Sequence, residues 1–407
     1  TGIDTANAFE RRRLVRVISL VSGAHFFSHF YLFLLPPLFP LLKDVYGVTF
    51  VELGLALTVF NFTSALAQAP VGFLVDRFGA KRLLIGGLVL QSTSMGLIGF
   101  FPTYMALLVL MICSGIGNTV YHPADYTILN SSVDKRYMGR AFSVHTFSGY
   151  VGQAIGPLAV IFLITIVSWA DALIFMGLFG LVGAVVITVN MSCLQDGTVR
   201  GTSSDATPKV TDGLRILVSL PVILGVLFFA GISMSGQGIT TFGYSALHVL
   251  SNASIEVIGL IISAYLFANP IGVLVGGWIA DKTETHDRNI AGFFLVAAVC
   301  VFIVAAIPMN IFGMAMMLGV AGLFSGMVAP SRDMLIRSVT PSRHIGKVFG
   351  FVSSGFNLGG IFAPLLFGYL LDKEEPNLVF FATGVVLILT IVTVLGAGAT
   401  SRNKDIH

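Results

Sequence analysis

Two histidines, His25 and His29, stand four residues apart in an otherwise apolar run. On a helix that spacing places both imidazoles on one face. Counting about 1.5 Å of rise per residue from Arg16 puts them roughly 13 and 20 Å along the run, near the midplane of a bilayer. Ionisable side chains at such depth are costly and usually face a cavity or a partner. Imidazole also exchanges a proton near neutral pH. The pair is therefore a candidate site for a proton or for the polar part of a solute; two neutral histidines bonded between helices are the plainer alternative. His122 stands between Tyr121 and Pro123. Proline frees a carbonyl in the preceding turn and bends a helix, so a histidine there suits a gate. By the same count His122, Asp125 and His145 lie nearer one membrane face, too far away to join His25 and His29 around a divalent metal ion.

Arg332 could receive an anion, or simply pair with Asp333 or Asp281. Gln153, Gln237 and Asn357 are uncharged polar residues inside apolar runs, and Tyr31 and Tyr150 are aromatic hydroxyls there. Each could contact a solute or bond two helices together. The chemistry of an enzyme is not written in the chain. No Walker loop, no GxGxxG after a strand, no GxSxG and no HExxH occurs, so neither a cofactor nor ATP is expected. Cys113, Cys193 and Cys300 have no CxxC partner, which leaves them packing roles.

The elements that must carry these residues follow from composition. Of the 407 residues 55% are hydrophobic and 11% charged, and the mean hydropathy is +0.90. A soluble surface of this size needs roughly 25% charged residues. The chain reads instead as an all-α membrane protein. Twelve runs approach the roughly 20 apolar residues of a span: 14–38, 51–74, 82–101, 104–128, 139–163, 169–192, 216–243, 254–280, 290–308, 311–333, 346–371 and 377–398. The first run is expected to be retained rather than cleaved as a signal. Residues 193–215 are polar and rich in Gly, Ser and Thr, and read as a linker. The expected organisation is two six-helix halves, 1–192 and 216–407. With the N-terminus inside, 21 of the 23 lysines and arginines fall in cytoplasmic segments; Lys43 and Lys373 fall outside. That split favours an even span count with both termini cytoplasmic.

The second half echoes the first. GFLVDRFGAKR (72–82) is answered by GWIADKTETHDR (277–288), and Gly139–Leu158 by Gly346–Leu365, with Gly152 matching Gly359 and Pro157 matching Pro364. A parallel repeat of this kind suits rocking of one half against the other around a shared pathway. The loop Gly72-x-x-x-Asp76-Arg77-x-Gly79-x-Lys81-Arg82 resembles the signature of the major facilitator superfamily, and Gly149, Gly152, Gly156 and Pro157 resemble its glycine–proline motif. Within that superfamily, FFSHF on span 1 and GNTVYHPAD on span 4 are similar to the fosmidomycin-resistance group of drug exporters. The resemblance implies a twelve-span, monomeric carrier, and the short loops suit a bacterial inner membrane. It would export a small organic or anionic solute in exchange for protons, with lipid and solute as partners and no nucleic acid. It also implies a cytoplasmic gating latch built from Gly72, Asp76, Arg77, Gly79, Lys81, Arg82 and Asp125, with Asp281 as the counterpart in the second half. A divalent-metal carrier using the span-1 histidines, and a membrane sensor that moves nothing, are the competing readings.

Overall fold

The computed structural model describes residues 2–196, 217–338 and 345–402; the side chains of 2–9, 69, 76, 135, 338, 345–347, 349 and 399–402 are outside the description. Most of the expected linker, from 197 onward, also lies outside the described residues. Among the described residues the secondary structure is helical, and twelve stretches are long and apolar enough to cross a membrane. That number agrees with the sequence. The solvent explains the architecture: hydrocarbon offers no partner to a backbone N–H or C=O, so each span satisfies its own. Large apolar side chains such as Phe73, Leu274 and Phe312 stay exposed, as a lipid-facing surface requires.

Three spans are interrupted. Span 1 runs as a helix from Gly2 to Leu32, passes through a short 3-10 turn at Pro36–Leu38, and resumes as Phe39–Tyr46. Span 7 does the same without proline: Leu220–Thr240 is followed by Gly243–Ser251. The sequence ended both spans at these breaks, at residues 38 and 243; the helical path continues to Tyr46 and Ser251. Span 4 divides into Tyr104–Thr119 and Tyr121–Ser132. Pro123 has no N–H to give the carbonyl of Thr119, and the helix breaks at that residue.

The chain forms two compact units. One takes the described residues through Leu38 and from Val59 to 196; the other takes Phe39–Thr58 and the described residues from 217 onward. Each is built from equivalent pairs of helices. In the first unit, span 1 packs on span 5, and span 3 packs on spans 4 and 6. In the second, span 7 packs on span 11, and span 9 on spans 10 and 12. The repeat seen in sequence is thus a repeat of contacts. Gly152 lies against the Phe26 carbonyl of span 1, and its counterpart Gly359 lies against the Ala230 carbonyl of span 7. Small residues let membrane helices approach this closely.

A Cβ at residue 152 would overlap that carbonyl, whereas one at Gly139 on the same helix meets nothing within 4 Å. Gly152→Ala is therefore expected to lower stability in detergent by about 1–3 kcal/mol, the usual cost of overpacking. Gly139→Ala is expected to leave the thermal unfolding midpoint unchanged or slightly raised.

Candidate functional site

Spans 1, 4 and 5 of the first unit bring four histidines and one aspartate together. His25 and His29, one turn apart, face each other edge-on with ring centroids 4.8 Å apart. The His25 ring stacks on His145 at 3.8 Å and lies 5.3 Å from His122. The separation in depth expected between span 1 and the other two histidines is therefore wrong. The breaks and tilts of real helices bring to one level what a straight count along each chain keeps apart. Gly149 makes the space: a Cβ there would meet His25 Cε1 at 2.6 Å and His29 Cδ2 at 3.0 Å.

Hydrogen bonds fix the order of these groups. His25 Nδ1–H donates to the His145 carbonyl at 2.8 Å. A carbonyl only accepts, so the Nδ1 of His25 carries the proton and a neutral His25 presents a bare Nε2. The Ser148 hydroxyl reaches the same carbonyl at 2.7 Å and the Ser22 carbonyl at 2.8 Å, which steadies the end of the bond. His145 Nε2 donates to Asp125 Oδ2 at 3.0 Å. The exposure of these side chains rises in sequence: Asp125 0%, His145 1% and His25 4%, with His29 half-buried and His122 exposed. Asp125 Oδ1, His25 Nε2, His29 Nδ1 and the Tyr121 hydroxyl are buried polar atoms with no hydrogen-bond partner in the protein.

Two expected residues sit elsewhere. Tyr31 is 1% exposed; its hydroxyl lies 3.0 Å from Ser92 Oγ and donates to the Met176 carbonyl at 2.9 Å. It binds spans 1, 3 and 6 together rather than facing a solute. Asp125, expected in the charged latch, is held inside the bundle by His145. Tyr150 and Gln153 are half-buried on span 5. In the second unit Gln237 donates to Ser233 at 3.3 Å, and Asn357 is half-buried on span 11. Arg332 bonds its neighbour Asp333 at 2.8 Å, the plainer of its expected partners. Its guanidinium also lies 5.0 Å from the Phe229 ring and 5.6 Å from Phe356. Those two rings meet edge-to-face at 4.7 Å, so the cation is held against an aromatic corner. Among the described residues no three His, Cys, Asp or Glu side chains, these histidines included, are placed to hold one metal ion.

The loop from Gly72 to Arg82 has a partner that sequence did not suggest. Gly79 adopts φ +88° and opens the helix Ala80–Phe100 without a side-chain cap of its own. Asp196 supplies the cap from beyond span 6. Its Oδ1 accepts the Lys81 backbone N–H at 2.9 Å, and its Oδ2 lies 3.3 Å from Lys81 Nζ. A carboxylate there also meets the positive end of the helix. Gly79 is required twice, by its φ and because a Cβ would press on the Asp196 carboxylate at 3.1 Å. Arg77 is exposed over the Phe78 ring, Arg82 is exposed, and the side chain of Asp76 lies outside the description. Asp281 closes span 8 as an exposed residue.

Two substitutions test these contacts. Asp125→Ala leaves the buried His145 N–H without its acceptor and is expected to cost about 1–3 kcal/mol in thermal unfolding. Asp125→Asn keeps an acceptor and is expected to cost less. Asp196→Ala removes a helix cap and is expected to cost about 1 kcal/mol, with Asp196→Asn intermediate.

Comparison with known proteins agrees with this architecture. The Fosmidomycin resistance protein of Escherichia coli (strain K12) is 23% identical over 98% of this chain and 97% of its own length. The multi-drug resistance efflux pump PmrA of Streptococcus pneumoniae is 24% identical over 86% of this chain and 88% of its own. Among solved structures, a bacterial homolog of the human lysosomal transporter Spinster, in an inward-facing and occupied conformation, is similar with a TM-score of 0.75 and 15% identity. That match covers 95% of this chain and 97% of the other, and it carries the fold. The family model of the Major Facilitator Superfamily matches residues 21–309 and again 228–404. Twelve apolar helices, repeated packing and a family match along nearly the whole chain converge: this protein belongs to the major facilitator superfamily of membrane transporters.

Proposed function

We propose that this protein exports a small organic anion by alternating access, driven by proton entry, in a bacterial inner membrane. In this reading two six-helix halves, 1–192 and 216–407, are joined by a cytoplasmic linker at 193–215, and both termini are cytoplasmic. The buried histidine–aspartate cluster on spans 1, 4 and 5 carries the proposal. A membrane interior that holds a cluster of four imidazoles, one of them bonded to a buried carboxylate, has a use for a proton. The lopsided distribution of basic residues supports the orientation. Two relatives whose names concern drug resistance support export.

Anionic character rests on Arg332. Its guanidinium stands on span 10 against Phe229 and Phe356, with a side chain 20% exposed. One carboxylate at Nε leaves further N–H groups on the fork to receive a carboxylate, sulfonate or phosphonate. The Gly72–Arg82 loop is the gating latch of this scheme, with Asp196 and Lys81 holding its inner end.

A thermal-shift panel on the purified protein tests the substrate class, using fosmidomycin, simple carboxylates, phosphonates, amino acids and divalent metal ions. An anionic hit at about 100 times its Kd adds about 2.7 kcal/mol, and Arg332→Gln is expected to abolish the shift. Stabilisation by neutral or cationic compounds alone contradicts the anion assignment. A confirmed hit must then move in proteoliposomes at a rate that follows an imposed pH gradient; indifference to the gradient removes proton coupling.

A further inference from the structure

We propose that the Asp125–His145 pair is the proton-binding site of this carrier, and that His25 links it to the accessible rim at His122. The proposal deepens the proton-coupled reading above and replaces the span-1 histidines as the seat of the proton. The geometry singles out the pair. It joins spans 4 and 5, both side chains are at most 1% exposed, and Asp125 is the one carboxylate in the cluster. The groups facing it are His25 and His29 from span 1 and Tyr121, His122 and Tyr126 from span 4. No described ion pair brings a lysine or arginine to these groups. Among the described residues, then, no fixed cation neutralises the carboxylate, and a proton can take that role.

The step balances simply. In the unloaded state a neutral His145 donates Nε2–H to the Asp125 carboxylate, and the pair carries one negative charge. One proton taken from water at the His122 rim brings the pair to zero net charge. Whether it rests on the carboxyl or the imidazole is a property of the pair, which titrates as a unit. Release returns the same proton to water. No bond other than O–H or N–H forms or breaks.

The path between rim and pair is also visible. His25 Nε2, His29 Nδ1, Asp125 Oδ1 and the Tyr121 hydroxyl are unpartnered buried atoms in one cluster. They supply the successive acceptors and donors that a migrating proton needs. His25 occupies the centre, stacked on His145 and within 5.3 Å of His122. Its Nδ1–H bond to the His145 carbonyl couples any motion of span 1 to span 5, which carries the imidazole of the pair. A shift of span 5 relative to span 1 would break that bond and change the access of the pair to the rim.

Proton counting on the full-length purified protein tests this without any substrate. Protein in weak buffer is mixed with acid, and uptake is read with a pH indicator dye across a ramp through neutrality. The wild type is expected to take up one proton more than Asp125→Asn. His25→Gln is expected to keep that proton and to bind it several-fold more slowly in stopped flow. Equal uptake by wild type and Asp125→Asn overturns the proposal, as does loss of the proton in His25→Gln. If the Asn variant does not assemble, Asp125→Glu carries the test. Its longer carboxyl must move the midpoint of the uptake step, and an unmoved midpoint is equally fatal. A protein that binds the proton but moves no solute refutes the carrier reading instead, so the two failures are distinguishable.

Discussion

Span 5 lies so close to span 1 that a methyl group at 149 or 152 would overlap its neighbour, and the candidate site depends on that approach. The glycines do more than pack. Gly149 admits the His25 and His29 rings, and Gly152 receives the backbone of Phe26. With span 5 held there, His145 lands on His25 and its carbonyl accepts the His25 Nδ1 proton. On the same residue the imidazole Nε2–H donates to Asp125 Oδ2 on span 4. In hydrocarbon there is no water to make good a mismatch, so such a set of buried partners is strongly specified.

The two units share contacts but not chemistry. Gly359 answers Gly152, and the breaks in spans 1 and 7 answer each other. Yet among the described residues of the second unit nothing answers the histidines: Ala230 takes the place of Phe26 against the matching glycine, and Phe229 lies against Phe356 instead of a ring with nitrogen. The polar feature there is Arg332 against its aromatic corner. A repeat that keeps its backbone contacts while its polar residues diverge fits the proposed carrier with separate proton and solute groups.

Much of the fold was legible because lipid imposes it. Length, apolarity and basic residues define twelve spans without reference to any contact, and the repeat between Gly139–Leu158 and Gly346–Leu365 is a matter of residue order. The His25–His29 face was legible too, since it depends on the period of one helix. What escaped were partnerships between distant segments. Asp125 looked like a charge at the end of span 4, and only the fold of spans 4 and 5 turns it towards His145. Depth counted from an arginine misplaced His122 and His145, because it assumes straight and parallel helices. Asp196 caps a helix 115 residues before it, and no periodicity signals that. One signal was available: Gly149 follows His145 by four residues, on the same face, and a small residue beside an imidazole marks room for a facing ring.

The central claim is physical, that span 5 presses on the span-1 histidines through Gly149. A double-mutant cycle in thermal unfolding measures it directly. Gly149→Ala is combined with His25→Ala, which removes the ring that the new methyl would strike. The predicted result is a marked loss of stability for Gly149→Ala in the wild-type background and a much smaller loss beside His25→Ala. Equal losses in the two backgrounds would mean that the glycine and the imidazole do not meet, and the site would have to be drawn again.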